Sequence, residues 1–182
     1  MTHPAGKARI DACGQYPEAI LLHNVQGWEL RNLEVTNTGA KREPGRAGVR
    51  LRLADFGQAR HIHLRGLFIH DINGSLVKGA EADGMGYGVV WQNHGPRVPS
   101  WFDDLLIEDR HLLRCDCNGI CGWSGFYQRD VWRPSTNVVV RGNLLEDIGG
   151  DGIVPIGTDG CLIEHNRLDG GRRRCEDYAG GI

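Results

Sequence analysis

The sequence predicts an all-β chain that forms a single domain over residues 1–182, a solenoid wound as a right-handed parallel β-helix of about five coils. Its apolar runs are short and bounded by glycine and aspartate, which is typical of strands and not of helices. These runs recur in a fixed order along the chain. Glycine accounts for 27 of 182 residues, roughly twice the usual share, and supplies many tight turns. We therefore expect helix to be nearly absent.

The most regular repeat is a glycine followed by an aliphatic residue, and one such pair opens each coil. The pairs are Gly48-Val49, Gly88-Val89, Gly119-Ile120, Gly152-Ile153 and Gly181-Ile182. Since no single coil can bury its apolar face alone, we expect the five aliphatic side chains to stack inside the solenoid. The spacing varies because loops of different length protrude between strands of similar length.

Two further runs complete each coil and bring the number of strands per turn to three. The second run gives a ladder of Leu30, Leu64, Ile107, Val140 and Ile163. The third follows a bend, as in Asn32-Leu33-Glu34-Val35 and Asn166-Arg167-Leu168. Alternation before the first bend predicts that Trp28 faces inward together with Leu30. Residues 1–18 show none of these patterns and are interpreted as an irregular lead-in.

Charge and hydropathy exclude several classes of partner. The net charge is −2 and no basic stripe is present, so no nucleic-acid partner is expected. No apolar run is long enough to span a membrane, and the first residues carry no visible secretory signal. We expect a monomer.

The cysteines and histidines raise the question of a metal. Six cysteines are present, and the spacing Cys115-x-Cys117-x-x-x-Cys121 lacks the paired C-x-x-C of zinc knuckles and ribbons. We interpret these cysteines as small residues that pack between coils. His61 and His63 share one strand face, which permits a metal pair, but the sequence offers no third ligand beside them. No metal or other cofactor is expected.

Four stretches resemble a known group of proteins: RNLEVTN, NLLEDIGGDGIVPIG, DGCLIEHNRLDG and DYAGGI. They are similar to right-handed β-helix proteins of the pectate-lyase-like superfamily, most of all bacterial β-helix glycoside hydrolases, over residues 19–182. The resemblance implies action on a plant or microbial polysaccharide or oligosaccharide, outside the cell or in the periplasm. In such enzymes later coils contribute acidic residues, whereas this chain ends where another coil should begin. We therefore expect a piece of a longer solenoid.

Asp151 and Asp177 are the candidate catalytic residues. Glycoside hydrolysis uses two carboxyl groups that flank the scissile bond. Asp151 precedes a Gly-aliphatic pair, in the same ladder position as Asn118, and Asp177 precedes the next such pair. Parallel stacking predicts that these positions are close together. The competing interpretation is that an Asp-Gly pair is simply favourable turn chemistry.

The candidate substrate-binding residues surround these acids. They are Gln92, His94, Asn118, Trp123, Arg173 and Tyr178. Long loops over residues 75–86, 94–103, 123–137 and 171–180 hold most of the large aromatic residues, including Trp101 and Phe102. These rings are interpreted either as platforms for sugar rings or as small cores of the loops themselves.

Two other functions remain open at this stage. A polysaccharide lyase or epimerase would use Ca²⁺ held by several carboxylates and an arginine or lysine base, but no tight aspartate cluster is present. A non-catalytic glycan-binding or structural module is favoured if the chain is complete as given. The fold alone does not decide among the three.

Overall fold

The computed structural model describes residues 7–77 and 84–171, and within them the chain is all-β. These ranges contain no α-helix, and the 3₁₀ helix that lies wholly within them, Arg129–Val131, is short. The predicted near-absence of helix is confirmed for this part of the chain. No helix found there has the length and apolar character needed to cross a membrane.

The strands form three parallel sheets, here called A, B and C. Sheet A contains, in spatial order, β1 (Ala8–Asp11), β4 (Leu33–Asn37), β7 (Phe68–Ile72), β10 (His111–Cys115), β13 (Leu144–Glu146) and β17 (Arg167–Asp169). Sheet B contains β2 (Glu18–His23), β5 (Ala47–Ala54), β8 (Tyr87–His94), β11 (Asn118–Ser124) and β14 (Ile153–Pro155). Sheet C contains β3 (Trp28–Arg31), β6 (Gln58–Arg65), β9 (Trp101–Glu108) and β12 (Ser135–Arg141), and both β15 (Thr158–Asp159) and β16 (Leu162–Glu164) pair with β12.

The chain visits the three sheets in the fixed order A, B, C. Each strand therefore pairs in parallel with the strand that occupies the same sheet one cycle earlier. This arrangement is consistent with a β-helix and agrees with the predicted three strands per turn.

The Gly-aliphatic ladder of sheet B is in register. Val49 pairs with Val89, Val89 with Ile120, and Ile120 with Ile153. The first three of these side chains are fully buried, and Ile153 packs against the same core. The prediction is confirmed for these four residues, and the fifth, Ile182, lies outside the described residues.

The second predicted ladder is also in register, along sheet C. Its neighbours in space are Leu30, Leu64, Ile107, Val140 and Ile163, in that order. The expected burial of Trp28 is wrong, since this residue is 50% exposed. It lies on β3, the end strand of sheet C, where no earlier strand covers it.

The lead-in contains structure that the sequence did not predict. Strand β1 (Ala8–Asp11) pairs in parallel with β4, so residues 1–18 are not irregular throughout. The strand has the sequence Ala-Arg-Ile-Asp, and Ile10 is its one large aliphatic residue. A single such residue cannot show the alternation by which a strand is recognised in a sequence.

The bends between sheets C and A share one backbone conformation. The equivalent residues of successive cycles all have a left-handed φ of 53–62°, namely Asn32, Gly66, Asp109, Gly142 and His165. Asparagine, aspartate and histidine are the side-chain-bearing residues that tolerate this region best. The bend predicted at Asn32 is confirmed.

Burial of the sheet C ladder can be tested with two matched substitutions. Val140 is 0% exposed, whereas Val131 is 43% exposed. We expect Val140→Asp to lower the free energy of unfolding by about 3 kcal/mol or more, because it places an unpaired carboxylate among apolar neighbours. Val131→Asp should change it by less than about 0.5 kcal/mol. Thermal or denaturant unfolding followed by circular dichroism measures both, and equal losses would contradict the assigned burial.

Candidate functional site

The described candidate residues gather on one face of sheet B. The main core lies on the other side of this sheet and includes Val89 and Trp91. A second apolar cluster contains Tyr87, Val90 and Cys121. Residues that alternate with the main-core residues therefore point away from that core. We call this side the outer face of sheet B.

Gln92, Trp123 and His94 lie on this face. Gln92 and Trp123 are register partners on β8 and β11, and Trp123 packs against the second apolar cluster. The side chain of Gln92 is buried, and its Oε1 accepts a hydrogen bond of 2.5 Å from Arg50. His94 is partly exposed, and its Nε2 lies 3.1 Å from the Nε of Arg52, which donates to it.

The placement of the aromatic residues in long loops is partly wrong. Trp123 belongs to strand β11, and Trp101 and Phe102 begin strand β9. Phe102 is 2% exposed and belongs to the main core. Tyr127 and Trp132 do lie outside the strands, and both are exposed. Aromatic residues are common in strands, and loop boundaries are the least reliable element of a sequence prediction.

Arg50 anchors the outer face and was missed by the sequence reasoning. Its side chain is 2% exposed and forms an ion pair of 2.6 Å with Glu18 on the neighbouring strand. Its guanidinium carbon lies 6.0 Å from the centre of the Tyr87 ring. Alternation in the strand around Arg50 is a signal that this side chain points away from the main core. The burial of the Arg50 side chain depends on its contacts with Glu18 and Gln92, and both residues are distant from it in sequence.

Asp151 and Asn118 are neighbours, as the ladder position predicts. The backbone N–H of Asp151 donates to Oδ1 of Asn118 at 3.3 Å, and the N–H of Gly119 donates to the carbonyl of Asp151 at 2.9 Å. Asn118 is 3% exposed, and its amide lies 3.6 Å from the sulfur of Met85. The adjacency is confirmed, while the roles of the two residues remain predictions.

The thiol of Cys121 lies beside these residues. Burial raises the pKa of this thiol to about 12, and the negative charge of Asp151 acts in the same direction. Burial also raises the pKa of Tyr87. A thiol with such a pKa is neutral near pH 7, so Cys121 does not supply a nucleophile there.

Three candidate residues lie outside the described residues: Asp177, Tyr178 and Arg173. The predicted proximity of Asp177 to Asp151 is therefore not tested. Near the start of β11 the structure adds a carboxylate that the sequence reasoning missed. Asp116 is 5% exposed and accepts a hydrogen bond of 2.8 Å from the Nε of Arg42.

Three of the described cysteines are buried in the two apolar clusters. Cys115 packs in the main core, and Cys117 and Cys121 pack in the second cluster. Their interpretation as small packing residues is confirmed. The described group with the spacing of metal ligands is instead Glu29, His61 and His63, on sheet C.

Comparison with solved structures finds a GH136 lacto-N-biosidase from Eubacterium ramulus. Its selenomethionine derivative matches 75% of this chain with a TM-score of 0.63 and 26% sequence identity. Its native form matches 76% of this chain with a TM-score of 0.62 and 23% identity. Each match covers 26% of the enzyme, so this chain spans about a quarter of the length of that protein. No family model and no curated protein matches the sequence.

Close packing beneath the outer face predicts intolerance at Gly122. A Cβ built on this residue would lie 2.7 Å from Nε1 of the fully buried Trp91. We expect Gly122→Ala to lower the free energy of unfolding by about 1–3 kcal/mol through overpacking. Gly125→Ala is the matched control, because a Cβ there would have no neighbour nearer than 3.4 Å. Unfolding by denaturant measures both, and an unaffected Gly122→Ala would refute this packing.

The thiol environments predict different alkylation rates. Cys121 is 1% exposed with a raised pKa of about 12, whereas Cys13 is exposed. At pH 8 we expect native Cys121 to react with iodoacetamide at least about a hundredfold more slowly than Cys13, because little thiolate forms and access is blocked. Peptide mapping by mass spectrometry measures both rates. Denatured protein serves as the control, in which the difference should disappear.

Proposed function

We propose that this chain is part of a carbohydrate-active β-helix protein that hydrolyses glycosidic bonds of a polysaccharide or oligosaccharide. The observation that carries the proposal is the match to a GH136 lacto-N-biosidase at 26% identity over 75% of this chain. The proposal includes a right-handed solenoid of about five coils. It also includes a location outside the cell or in the periplasm, where such saccharides are found.

We place the saccharide on the outer face of sheet B. Trp123 and Asp151 are both partly exposed, so both residues can be reached from solvent. Aromatic faces pack against the apolar face of a sugar ring, and a carboxyl group can donate or accept a proton. His94, also partly exposed, adds a polar group at the other end of β8.

Asn118 and Gln92 are buried residues beside the proposed site. Both are buried, at 3% and 5% exposure, so direct contact with a saccharide is restricted. Oδ1 of Asn118 accepts from the backbone of Asp151, and Oε1 of Gln92 accepts from Arg50. We assign them as positioning residues that hold Asp151 and the Glu18–Arg50 pair in place, in revision of the substrate-binding role predicted from the sequence.

The proposed chemistry needs a second carboxyl group. Asp177 is the candidate from the sequence, with Tyr178 and Arg173 as ligand-binding neighbours. Carboxyl groups about 5–5.5 Å apart retain the anomeric configuration, and groups about 6.5–9.5 Å apart invert it. One of the two carboxyl groups acts as the general acid, and the other acts as nucleophile or general base.

A non-catalytic glycan-binding role is the second candidate. Each match covers 26% of the solved enzyme, so the matched part alone does not assign that enzyme's catalytic residues to this chain. The lyase alternative gains nothing from the structure: in the described ranges, the group with metal-ligand spacing contains one carboxylate and two histidines, and not several carboxylates suited to Ca²⁺.

Asp151→Asn tests the proposed site, with Asp159→Asn as its matched control. Asp159 also precedes a glycine but is exposed on β15 of sheet C. We expect Asp151→Asn to weaken glycan binding by residues 1–182 at least tenfold, and Asp159→Asn to leave it unchanged. Calorimetry on glycans selected from an array, including a lacto-N-bioside, provides the measurement.

Turnover separates the two candidate functions. If sequencing shows that the reading frame continues beyond Ile182, the longer chain is assayed with aryl-glycosides together with its Asp151→Asn and Asp177→Asn variants. Loss of kcat in both variants with little change in KM supports the hydrolase. Unchanged turnover in both would remove these residues from the catalytic set. Glycan binding without any turnover would favour the binding module.

A further inference from the structure

A polar cluster on sheet C joins three neighbouring strands. Glu29 lies on β3, His61 and His63 lie on β6, and Asp104 lies on β9. Glu29 and His63 are register partners. His61 and Asp104 have left-handed φ values of 56° and 64°. Neither residue has a partner in the register between β6 and β9. Asp104 contacts both His61 and His63, so the three side chains lie on the same side of the sheet.

Three of these residues converge on one point. Oε1 of Glu29 lies 2.9 Å from Nε2 of His61 and 4.0 Å from Nδ1 of His63. One ligand atom from each of the three residues lies within 4.8 Å of the others. Ligands about 2.0–2.1 Å from a tetrahedral Zn²⁺ are about 3.3 Å apart. The two observed separations bracket that distance, so small rotations of the side chains suffice to place an ion.

Asp104 contacts both imidazoles at the ring nitrogens that do not face Glu29. Its Oδ2 lies 3.0 Å from Nδ1 of His61, and its Oδ1 lies 2.8 Å from Nε2 of His63. When both far nitrogens carry the protons that Asp104 accepts, Nε2 of His61 and Nδ1 of His63 present lone pairs toward Glu29. A carboxylate behind a histidine ligand fixes the tautomer and raises the basicity of the ring in metal sites.

Two arginines flank the cluster. Arg31 donates to Oε2 of Glu29, which leaves Oε1 for the cluster. Arg65 lies 3.4 Å from Nδ1 of His63, but its guanidinium also forms an ion pair of 3.1 Å with Glu108. The Arg65 contact is long for a hydrogen bond, so an ion at Nδ1 displaces little.

We propose that Glu29, His61 and His63 bind a divalent transition metal ion of the Zn²⁺ type, with Asp104 as the positioning residue. Two imidazole nitrogens and one carboxylate oxygen suit Zn²⁺, whereas Ca²⁺ and Mg²⁺ prefer oxygen ligands alone. The fourth position faces solvent, since the side chain of His61 is 45% exposed. The ion links β3 to β6, which belong to successive cycles of the chain.

Zinc titration of the purified 182-residue chain tests the site. We expect one equivalent of Zn²⁺ to bind, and His61→Asn and Glu29→Gln each to weaken binding by about a hundredfold or more. Asp104→Asn should weaken it about 10–100-fold, as is usual for the carboxylate behind a ligand. His111→Asn is the matched control: His111 also contacts a carboxylate, with its Nε2 2.5 Å from Oε2 of Glu146, but on sheet A and in no group with metal-ligand spacing among the described residues.

A cobalt spectrum identifies the ligands independently of affinity. Bound Co²⁺ should give visible bands of a four-coordinate nitrogen and oxygen site, without a thiolate charge-transfer band. Far-ultraviolet circular dichroism without metal verifies that each variant is folded, and Zn²⁺ should raise the melting temperature of the wild type but not of His61→Asn. Failure of the wild type to bind, unchanged affinity in both ligand variants, or a thiolate band would each overturn the proposal.

Discussion

The close approach of sheet A to sheet B is the constraint on which the rest of the fold depends. A Cβ at Gly88 would lie 2.6 Å from Leu112 of sheet A, and one at Gly119 would lie 2.6 Å from Leu145. The glycine of each Gly-aliphatic pair within the described residues is therefore needed for space. The missing side chain of the glycine leaves room for the aliphatic residues of sheet A. The residue that follows the glycine belongs to the aliphatic ladder of sheet B. In the cycles that contain β5, β8, β11 and β14, one dipeptide thus sets the distance between these two sheets.

The parallel register also determines which polar residues lie next to each other on adjacent strands. Parallel strands are about 4.8 Å apart, so residues separated by a whole cycle of the chain become direct neighbours. Glu29 faces its register partner His63 in this way, and Arg50 contacts Gln92 diagonally on the adjacent strand. The two proposed sites have this common origin, but they lie on different sheets. On sheet B the polar side chains are largely buried and paired, whereas on sheet C the cluster opens to solvent.

Burial of charge on sheet B makes the outer face rigid. Arg50 is almost fully buried, and removal of one partner would leave an uncompensated charge. Its contacts to Glu18 and Gln92 fix three adjacent strands relative to one another. Side chains held by paired contacts of this kind keep a defined orientation, which a binding or catalytic site needs.

The sequence by itself determined the repeat. Like residues must stack because one coil cannot bury its own apolar face, so the ladders through Val89 and Ile107 and the contact between Asn118 and Asp151 were predictable. Only the tertiary structure decided which of the other polar residues meet. The loops vary in length, and sequence distance does not reveal register, so the burial of Arg50 and the position of Glu29 beside His61 and His63 could not be predicted.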